Sequence, residues 1–161
     1  MTDARPSIRI LVDADACPVK EEIYKVAERY KVPVVVVSNQ IIRIPQSPRV
    51  SRKIVSDAFD AADDWIAENT ARGSVVVTND ILLADRCLKA GGEVLAANGK
   101  AFTMASIGGA IATRAIMADL RAGGDQLGGP PPFSKQDRSR FLSALDQTLV
   151  KLLRAAQSGQ P

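Results

Sequence analysis

The sequence predicts an α/β protein with a mainly parallel sheet of about five short strands, helices on both faces and a helical C-terminus. Three observations predict this class. Short apolar runs alternate with segments whose apolar residues recur at helical spacing from residue 8 to 95. The short runs are apolar at nearly every position, as in strands that are buried on both faces. The connections between them are long enough for helical crossovers, which join parallel strands.

The first strand, helix and second strand span residues 8 to 37. The first strand is the apolar run Ile8, Ile10, Leu11 and Val12. Pro18 suits a first helical position, and apolar residues then recur at helical spacing, so we expect a helix from 18 to about 30. Pro33 ends it, and the β-branched run Val34 to Val37 is the second strand.

Two further helix and strand pairs follow. We expect a helix from Asp60 to about Arg72 and a buried strand from Val75 to Val77. Another helix then runs to Gly91 and precedes a short strand at Val94 and Leu95. These elements complete a core over residues 8–95.

The remainder is predicted to be helical over residues 103–156, before a disordered tail at 157–161. One helix ends at Gly123, and a GGPPP turn follows. Ser134 and Asp137 have the spacing of a capping box for the last helix. Its apolar face consists of Phe141, Leu145, Leu149 and Leu152. With 161 residues and 46% hydrophobic residues, the chain is expected to form one domain over 1–161.

Composition limits the function. No apolar run is long enough to span a membrane, and the polar start MTDARPS lacks the apolar core of a secretory signal, so we expect a cytoplasmic protein with no membrane partner. The two cysteines, Cys17 and Cys87, are expected to be reduced thiols. The chain has no histidine, which excludes imidazole bases and histidine metal ligands. Carboxylates remain, and they suit hard cations such as Mg²⁺ and Mn²⁺.

Aspartates follow two of the predicted strands. Asp13 and Asp15 follow the first strand, and Asp80 follows Val75–Val77. A third acidic group, Asp60, Asp63 and Asp64, lies on the helix before that later strand. If the two strands are neighbours, these carboxylates meet in one crevice, where their mutual repulsion calls for a divalent cation. Asp also favours turns and helix N-caps, which is the structural alternative for each of them.

A basic segment runs from Gln40 to Ser56. It holds Arg43, Arg49, Arg52 and Lys53 and no acidic residue, whereas the whole chain has a net charge of +3. We expect a loop, with a short strand at Ile54 and Val55. Such a concentration of positive charge attracts phosphate-bearing partners, although a solvated basic loop is the alternative.

The motifs also resemble known families. FDAADDWIA followed by VVVTND resembles the paired acidic motifs of PIN and flap-nuclease-like domains. More closely, DADACPVKEEIY, SNQ, FDAAD, VVTND with LLA, GGP and DRSRF are together similar to the YaiI/YqxD family of uncharacterised bacterial proteins, assigned to the PIN-like class. The resemblance covers about residues 8 to 150 and implies a single PIN-like domain. The family itself lacks an established activity.

Position by position, the resemblance implies an acidic set of Asp13, Asp15, Asp60, Asp63 and Asp80. Asp64 and Asp85 stand where the family accepts uncharged residues. Ala58 stands where glycine is common in the family, and Leu82 where proline or glycine is common. These two departures alter loop shape without removing a carboxylate.

The favoured hypothesis is a metal-dependent nuclease acting on RNA or DNA, with RNA preferred. Asp13, Asp63 and Asp80 are then the catalytic ligands of Mg²⁺ or Mn²⁺, supported by Asp15 and Asp60. The nucleic acid would be contacted by Asn39, Arg43, Arg49, Arg52 and Lys53.

Two alternatives remain. The motif DADAC also resembles the start of a haloacid-dehalogenase-like phosphatase, with Asp13 as nucleophile, Asp15 as acid/base and the pair Asp80 and Asp85 on the metal. That class inserts a flap after its first strand, whereas Pro18 predicts an immediate helix. The third hypothesis is a non-catalytic nucleic-acid-binding or interaction module.

Overall fold

The computed structural model describes residues 7–15, 17–123 and 132–157, which contain six strands and five helices. The strands are β1 (Arg9–Asp13), β2 (Val34–Ser38), β3 (Val50–Ile54), β4 (Ser74–Val77), β5 (Glu93–Leu95) and β6 (Ala101–Phe102). The helices are α1 (Lys20–Tyr30), α2 (Ala61–Asn69), α3 (Ile81–Lys89), α4 (Met104–Ala122) and α5 (Lys135–Gln157). None of these helices has the length and apolarity needed to cross a membrane. The predicted α/β class is confirmed.

The strands form one sheet in the order β3-β2-β1-β4-β5-β6. The first five strands are parallel, and β6 is antiparallel to β5. From β1 the chain proceeds outward to β2 and β3, then returns to the other side of β1 to form β4. This reversal of direction opens a crevice between the carboxyl ends of β1 and β4, where ligands bind in open α/β sheets.

Helices cover both faces of the sheet because each strand sends alternate side chains to opposite faces. Ile10 and Val12 of β1 pack in a buried cluster with α1 and α5. Leu11, between them, packs in a second cluster with α2, α3 and α4. All three side chains are fully buried, and such burial stabilises the fold by about 1.5–3 kcal/mol for each large aliphatic side chain. The apolar runs of the sequence therefore mark central strands.

Helix α1 begins two residues later than predicted. Pro18 lies in a turn, and Lys20 is the first helical residue. The first helical hydrogen bond runs from the Ile23 amide to the Val19 carbonyl, which places Val19 at the N-cap. The Pro18 carbonyl instead accepts a hydrogen bond of 2.7 Å from Arg138 of α5. Pro18 therefore shapes the entry to the helix without belonging to it.

The basic segment Gln40–Ser56 is not the loop we predicted, because it contains the whole of β3. This strand begins at Val50, and only its last residue, Ile54, belongs to the predicted strand at Ile54 and Val55. β3 is the outer strand of the sheet, and its residues 51–54 are exposed. An exposed edge accommodates charged side chains such as Arg52 and Lys53. The strand consequently lacks the apolar run that identified the other four parallel strands.

The sixth strand, β6, was not predicted from the sequence either. It has two residues and follows a turn at Gly99, whose φ of 87° favours glycine. A Cβ at Gly99 would lie 2.6 Å from the backbone of Arg140 in α5, so glycine is also required by close packing.

The last helix closes the first face of the sheet. Ser134 and Asp137 form the predicted capping box, with reciprocal hydrogen bonds of 3.0 and 3.1 Å. Phe141, Leu145 and Leu149 are fully buried, as expected for the apolar face. The predicted helical C-terminus is thus confirmed. Most of the predicted GGPPP turn and residues 158–161 of the predicted tail lie outside the described residues.

Candidate functional site

A cavity of about 430 Å³ opens at the carboxyl edge of the sheet. One side is formed by residues that follow β1 and β2, and the other by the segment 56–63 that leads into α2. We call this cavity the acidic cleft. Its polar lining consists of Asp13, Asp15, Ser38, Asn39, Gln40, Ser56, Asp60 and Asp63.

Asp13 is the last residue of β1. It therefore lies at the carboxyl end of the strand from which the sheet extends in both directions, to β2 on one side and to β4 on the other. Its Oδ2 accepts a hydrogen bond of 2.8 Å from the hydroxyl of Thr78, which follows β4. The same Thr78 oxygen accepts the amide of Asp80 at 3.0 Å, so one buried hydroxyl connects the ends of both strands. Burial raises the pKa of Asp13, and the charges of Asp15 and Asp80 act in the same direction against the Thr78 hydrogen bond.

Asp63, on α2, is close enough to several charged side chains for their charges to change its pKa. Its pKa is raised from 3.8 to about 6. Burial is the largest cause, followed by the negative charges of Asp80, Asp13 and Asp60, while Arg86 acts in the opposite direction. Four aspartates from three segments therefore share one electrostatic environment. This convergence confirms the expectation that the strands before Asp13 and Asp80 are neighbours.

Asp80 has a structural role as well. It is the N-cap of α3, and its Oδ1 accepts the amides of Leu82 and Leu83 at 2.9 and 3.2 Å. The helix-cap interpretation is thus correct for this residue. Its negative charge nevertheless acts on both Asp13 and Asp63.

Asp60 and Asp15 lie at the exposed margin of the cleft. Asp60 occupies the N-cap position of α2, but its side chain makes no capping hydrogen bond. Its φ of 65° places it in the left-handed region, which residues other than glycine seldom occupy. Asp15 is in the turn after β1. Both carboxylates can therefore support a cation from the rim.

Asp64 and Asp85 point away from the cleft. Asp64 forms a 2.9 Å ion pair with Arg86, and Asp85 forms a 2.8 Å pair with Lys89. Neither lines the acidic cleft. The phosphatase hypothesis needs Asp85 beside Asp80 on a metal and a flap after β1. Between β1 and α1, the described residues contain no strand.

The described residues include no group of three acidic or thiol side chains positioned to hold one metal ion together. The chemistry of the donors nevertheless fits a hard cation, because carboxylate oxygens are its preferred ligands. Mg²⁺ in particular is often held by one or two carboxylates and completes its shell with water and substrate oxygens. Asp13, Asp63 and Asp80 suit that type of site better than a closed cage of protein ligands.

The predicted nucleic-acid contacts separate into two groups. Asn39 lines the cleft, and Arg43 follows Ile42, which also lines it. Arg52 donates a 2.8 Å hydrogen bond to the Ile42 carbonyl, and Lys53 is exposed on β3. Arg49 precedes β3, at the opposite edge of the sheet, and forms a 3.2 Å ion pair with Glu28. The structure therefore does not bring Arg49 to the cleft.

Several residues of the site were not predicted from the sequence. Thr78 orients Asp13, and a Thr two positions before an Asp at a strand end was a usable signal for it. Ser38 and Gln40 line the cleft beside Asn39, as expected of a polar strand exit. Ser56 and Ala58 line it as well. The comparison with the family had marked Ala58 as a departure from glycine, but no pattern in the sequence marked Ser56.

Comparisons with known proteins identify the family and confirm the resemblance to it, but not the PIN-like class. A family model described as "Uncharacterized BCR, YaiI/YqxD family" matches residues 11–151. The chain is 69% identical over 146 residues to a "UPF0178 protein" of Sphingopyxis alaskensis, covering 90% of this chain and 95% of that protein. It is 61% identical over 153 residues to a "UPF0178 protein" of Azorhizobium caulinodans, covering 94% and 96% of the two chains. No solved structure matches. The chain belongs to the uncharacterised YaiI/YqxD family.

Proposed function

We propose that this protein is a divalent-metal-dependent nuclease that hydrolyses phosphodiester bonds in RNA or DNA. The proposal rests on the convergence of Asp13, Asp63 and Asp80 at the point where the strand order reverses. Among the described residues, none of the three forms an ion pair. Uncompensated carboxylates in a cleft are destabilising unless a cation or a proton neutralises them. The resemblance of the acidic motifs to flap-nuclease-like domains is consistent with this chemistry.

Mg²⁺ or Mn²⁺ would be held by one or two of the carboxylates of Asp13, Asp63 and Asp80 at a time, with water and phosphate oxygens completing its shell and with Asp15 and Asp60 in support. When bound, such an ion makes its water more acidic and neutralises charge on a phosphate. The chain itself keeps two of these carboxylates in place. Thr78 fixes Asp13 through a 2.8 Å hydrogen bond, and the first turn of α3 fixes Asp80. Such preorganisation removes the need to order the ligands during the reaction.

Asp63 would gain from a bound cation. Its pKa is raised to about 6, chiefly by burial and then by the charges of Asp80, Asp13 and Asp60, so a divalent cation beside it would favour its ionised form and relieve this repulsion. Asn39 and Gln40 line the same cavity, and a side-chain amide can donate hydrogen bonds to phosphate oxygens. Arg43, beside the cleft, adds positive charge for the polynucleotide backbone.

The test is cleavage of end-labelled single-stranded RNA and DNA with Mg²⁺, with Mn²⁺ and with a chelator. We expect metal-dependent cleavage, and we expect Asp13→Asn and Asp63→Asn to lower its rate by at least roughly 10²-fold, because loss of a residue that only orients a metal ligand already costs about 10- to 100-fold. Asp64→Asn is the matched control, since its carboxylate pairs with Arg86 outside the cleft. Full activity in both cleft variants, or equal loss in the control, would contradict the proposal.

A second candidate is a nucleic-acid-binding module without catalysis. Two observations favour it: Asp80 caps α3, and the described residues include no three-ligand metal group. The same assay separates the two functions. Retention of the labelled strand without any cleavage under either metal would support the binding module.

A further inference from the structure

Two large apolar side chains stand in solvent at the rim of the acidic cleft. Phe59 is 93% exposed and Ile41 is 76% exposed. Phe59 lies between Ala58 and Asp60, which both line the cleft. Ile41 lies between two cleft residues as well, on the opposite side. The rim of a strongly polar cavity therefore carries apolar surface on both sides.

The fold does not use the Phe59 ring. Neither of the two buried clusters includes it, whereas the partly exposed Phe133 contacts the Arg138 guanidinium, 5.0 Å from its ring centre. A hydrogen bond from the Ala61 amide to the Ala58 carbonyl closes a turn with Phe59 and Asp60 at its centre. This turn presents the aromatic side chain outward while holding its backbone beside the acidic residues.

The charges around the rim fit a polynucleotide. Arg43 and Lys53 are exposed and form no ion pair within the described part of the chain. The phosphates of a polynucleotide would approach these cations. The aspartates of the acidic cleft would repel a phosphate unless a metal ion were bound between them. An exposed aromatic side chain next to the cleft, in a chain that also exposes these cations, matches single-stranded nucleic acid, whose bases stack on aromatic side chains irrespective of sequence. A duplex keeps its base faces stacked internally.

We propose that the acidic cleft takes single-stranded nucleic acid and that Phe59 stacks on an unpaired base at its mouth, an assignment of substrate class that rests on the proposed nuclease function. Ile41, across the opening, provides apolar contact for a neighbouring nucleotide. The Phe59 ring favours single strands over duplexes, and the carboxylates that line the acidic cleft take part in the cleavage reaction.

The experiment measures affinity by fluorescence anisotropy for a labelled single-stranded oligonucleotide and for a duplex of the same length. Ca²⁺ replaces Mg²⁺, and gels verify that the probe stays intact. Phe59→Ala and Phe59→Leu should weaken single-strand binding by roughly 5- to 150-fold, the range of base stacking on an aromatic residue, and leave duplex binding unchanged. Phe59→Tyr should bind as the wild type does. Ile116→Ala, at an exposed position of α4, is the control for loss of apolar surface.

Several outcomes overturn this assignment. They are single-strand affinity unchanged in Phe59→Ala, equal losses for duplex and single strand, and binding by Phe59→Leu equal to that of Phe59→Tyr. Self-association that Phe59→Ala abolishes, with no effect on oligonucleotide affinity, would assign the ring to a contact between copies instead.

The cleavage assay keeps the two proposals distinguishable. If metal-dependent cleavage is unchanged in the Phe59 variants, the proposed nuclease function stands and the stacking role of Phe59 is wrong. If binding depends on Phe59 but neither Mg²⁺ nor Mn²⁺ gives cleavage, the stacking role stands and the nuclease function is wrong. If the wild type binds no oligonucleotide, both proposals are wrong. Because Phe59 is almost fully exposed, its variants should melt at the wild-type temperature, which excludes unfolding as the cause of any loss.

Discussion

Asp63 and Asp64 are adjacent in the chain and lie in opposite environments. Asp64 faces α3 and pairs with Arg86 at 2.9 Å. Asp63 lines the acidic cleft, and its pKa is raised to about 6, mainly by burial and further by the negative charges of Asp80, Asp13 and Asp60. The rotation of about 100° between successive helical residues is sufficient to separate them. A run of acidic residues is therefore not one functional group.

The same contrast separates two arginines of the basic segment. Arg49 pairs with Glu28 at the amino edge of the sheet. Arg43 lies beside the cleft at the other edge and forms no ion pair with any described residue. In each of these two pairs, one charge is neutralised by a neighbouring side chain and the other is available to a ligand of the cleft. The matched pairs Asp63 with Asp64 and Arg43 with Arg49 turn this contrast into measurements.

The largest expected effect is stabilisation by a divalent cation. An ion that binds only the folded state should contribute about 2.7 kcal/mol at a hundredfold excess over its dissociation constant. For a domain of this size that is a rise of roughly 5–10 °C in melting temperature. Asp63→Asn and Asp80→Asn should lose most of the rise, and asparagine at position 80 should still cap α3. Asp64→Asn should keep it. Thermal melts with and without Mg²⁺ and Mn²⁺ measure this, and no shift in the wild type would end the metal hypothesis.

Central strands were predictable because burial leaves a simple pattern in the sequence. The runs that became β1, β2 and β4 are apolar at nearly every position, since helices cover both faces of the sheet there. β3 was not predictable as a whole strand, because an exposed edge imposes no apolar run on Arg52 and Lys53. β6 has two residues and is set by a turn and by the packing of α5 on Gly99.

For the candidate site, the position of an aspartate at the end of a strand predicted where its side chain lies. The position of an aspartate along a helix did not. Asp13 and Asp80 were predicted to lie together because carboxyl ends of parallel strands share one edge. The choice between Asp63 and Asp64 depends on how α2 is rotated against the sheet, which packing of residues such as Ile66 decides. Phe59 was missed because an exposed aromatic in a turn leaves no periodic pattern.

A smaller effect should appear in the pH dependence of stability. The folded pKa of Asp63, about 6, lies above its ordinary value of 3.8, so the folded state binds the proton more tightly than the unfolded state. Stability should therefore fall as pH rises from about 4 to 6 and stay lowered above that range. The full shift corresponds to ~3 kcal/mol, and solvent screening of this partly exposed carboxyl reduces our expectation to about 1 kcal/mol.

Asp63→Asn isolates this contribution from those of the other groups. Without metal, the variant should be more stable than the wild type at pH 8, and the difference should vanish near pH 4. Asp64→Asn should show no such gain, because it loses an ion pair. Urea unfolding across this pH range gives both differences. A variant that is less stable than the wild type at pH 8 would show that Asp63 is a structural residue.

The smallest expected effect concerns the two arginines and depends on salt. A cation that contacts a phosphate releases a counterion, so each such contact steepens the fall of log affinity with log salt by about 0.7 for a single strand. Arg43→Gln should reduce the slope by about that amount for a short oligonucleotide. Arg49→Gln removes the same charge at the far edge of the sheet and should leave the slope unchanged, and its surface pair with Glu28 is worth little stability. Anisotropy titrations over a range of salt concentrations measure both slopes. Equal reductions in the two variants would mean that the polyanion senses only the total charge of the protein, and the distinction between neutralised and available cations would fail.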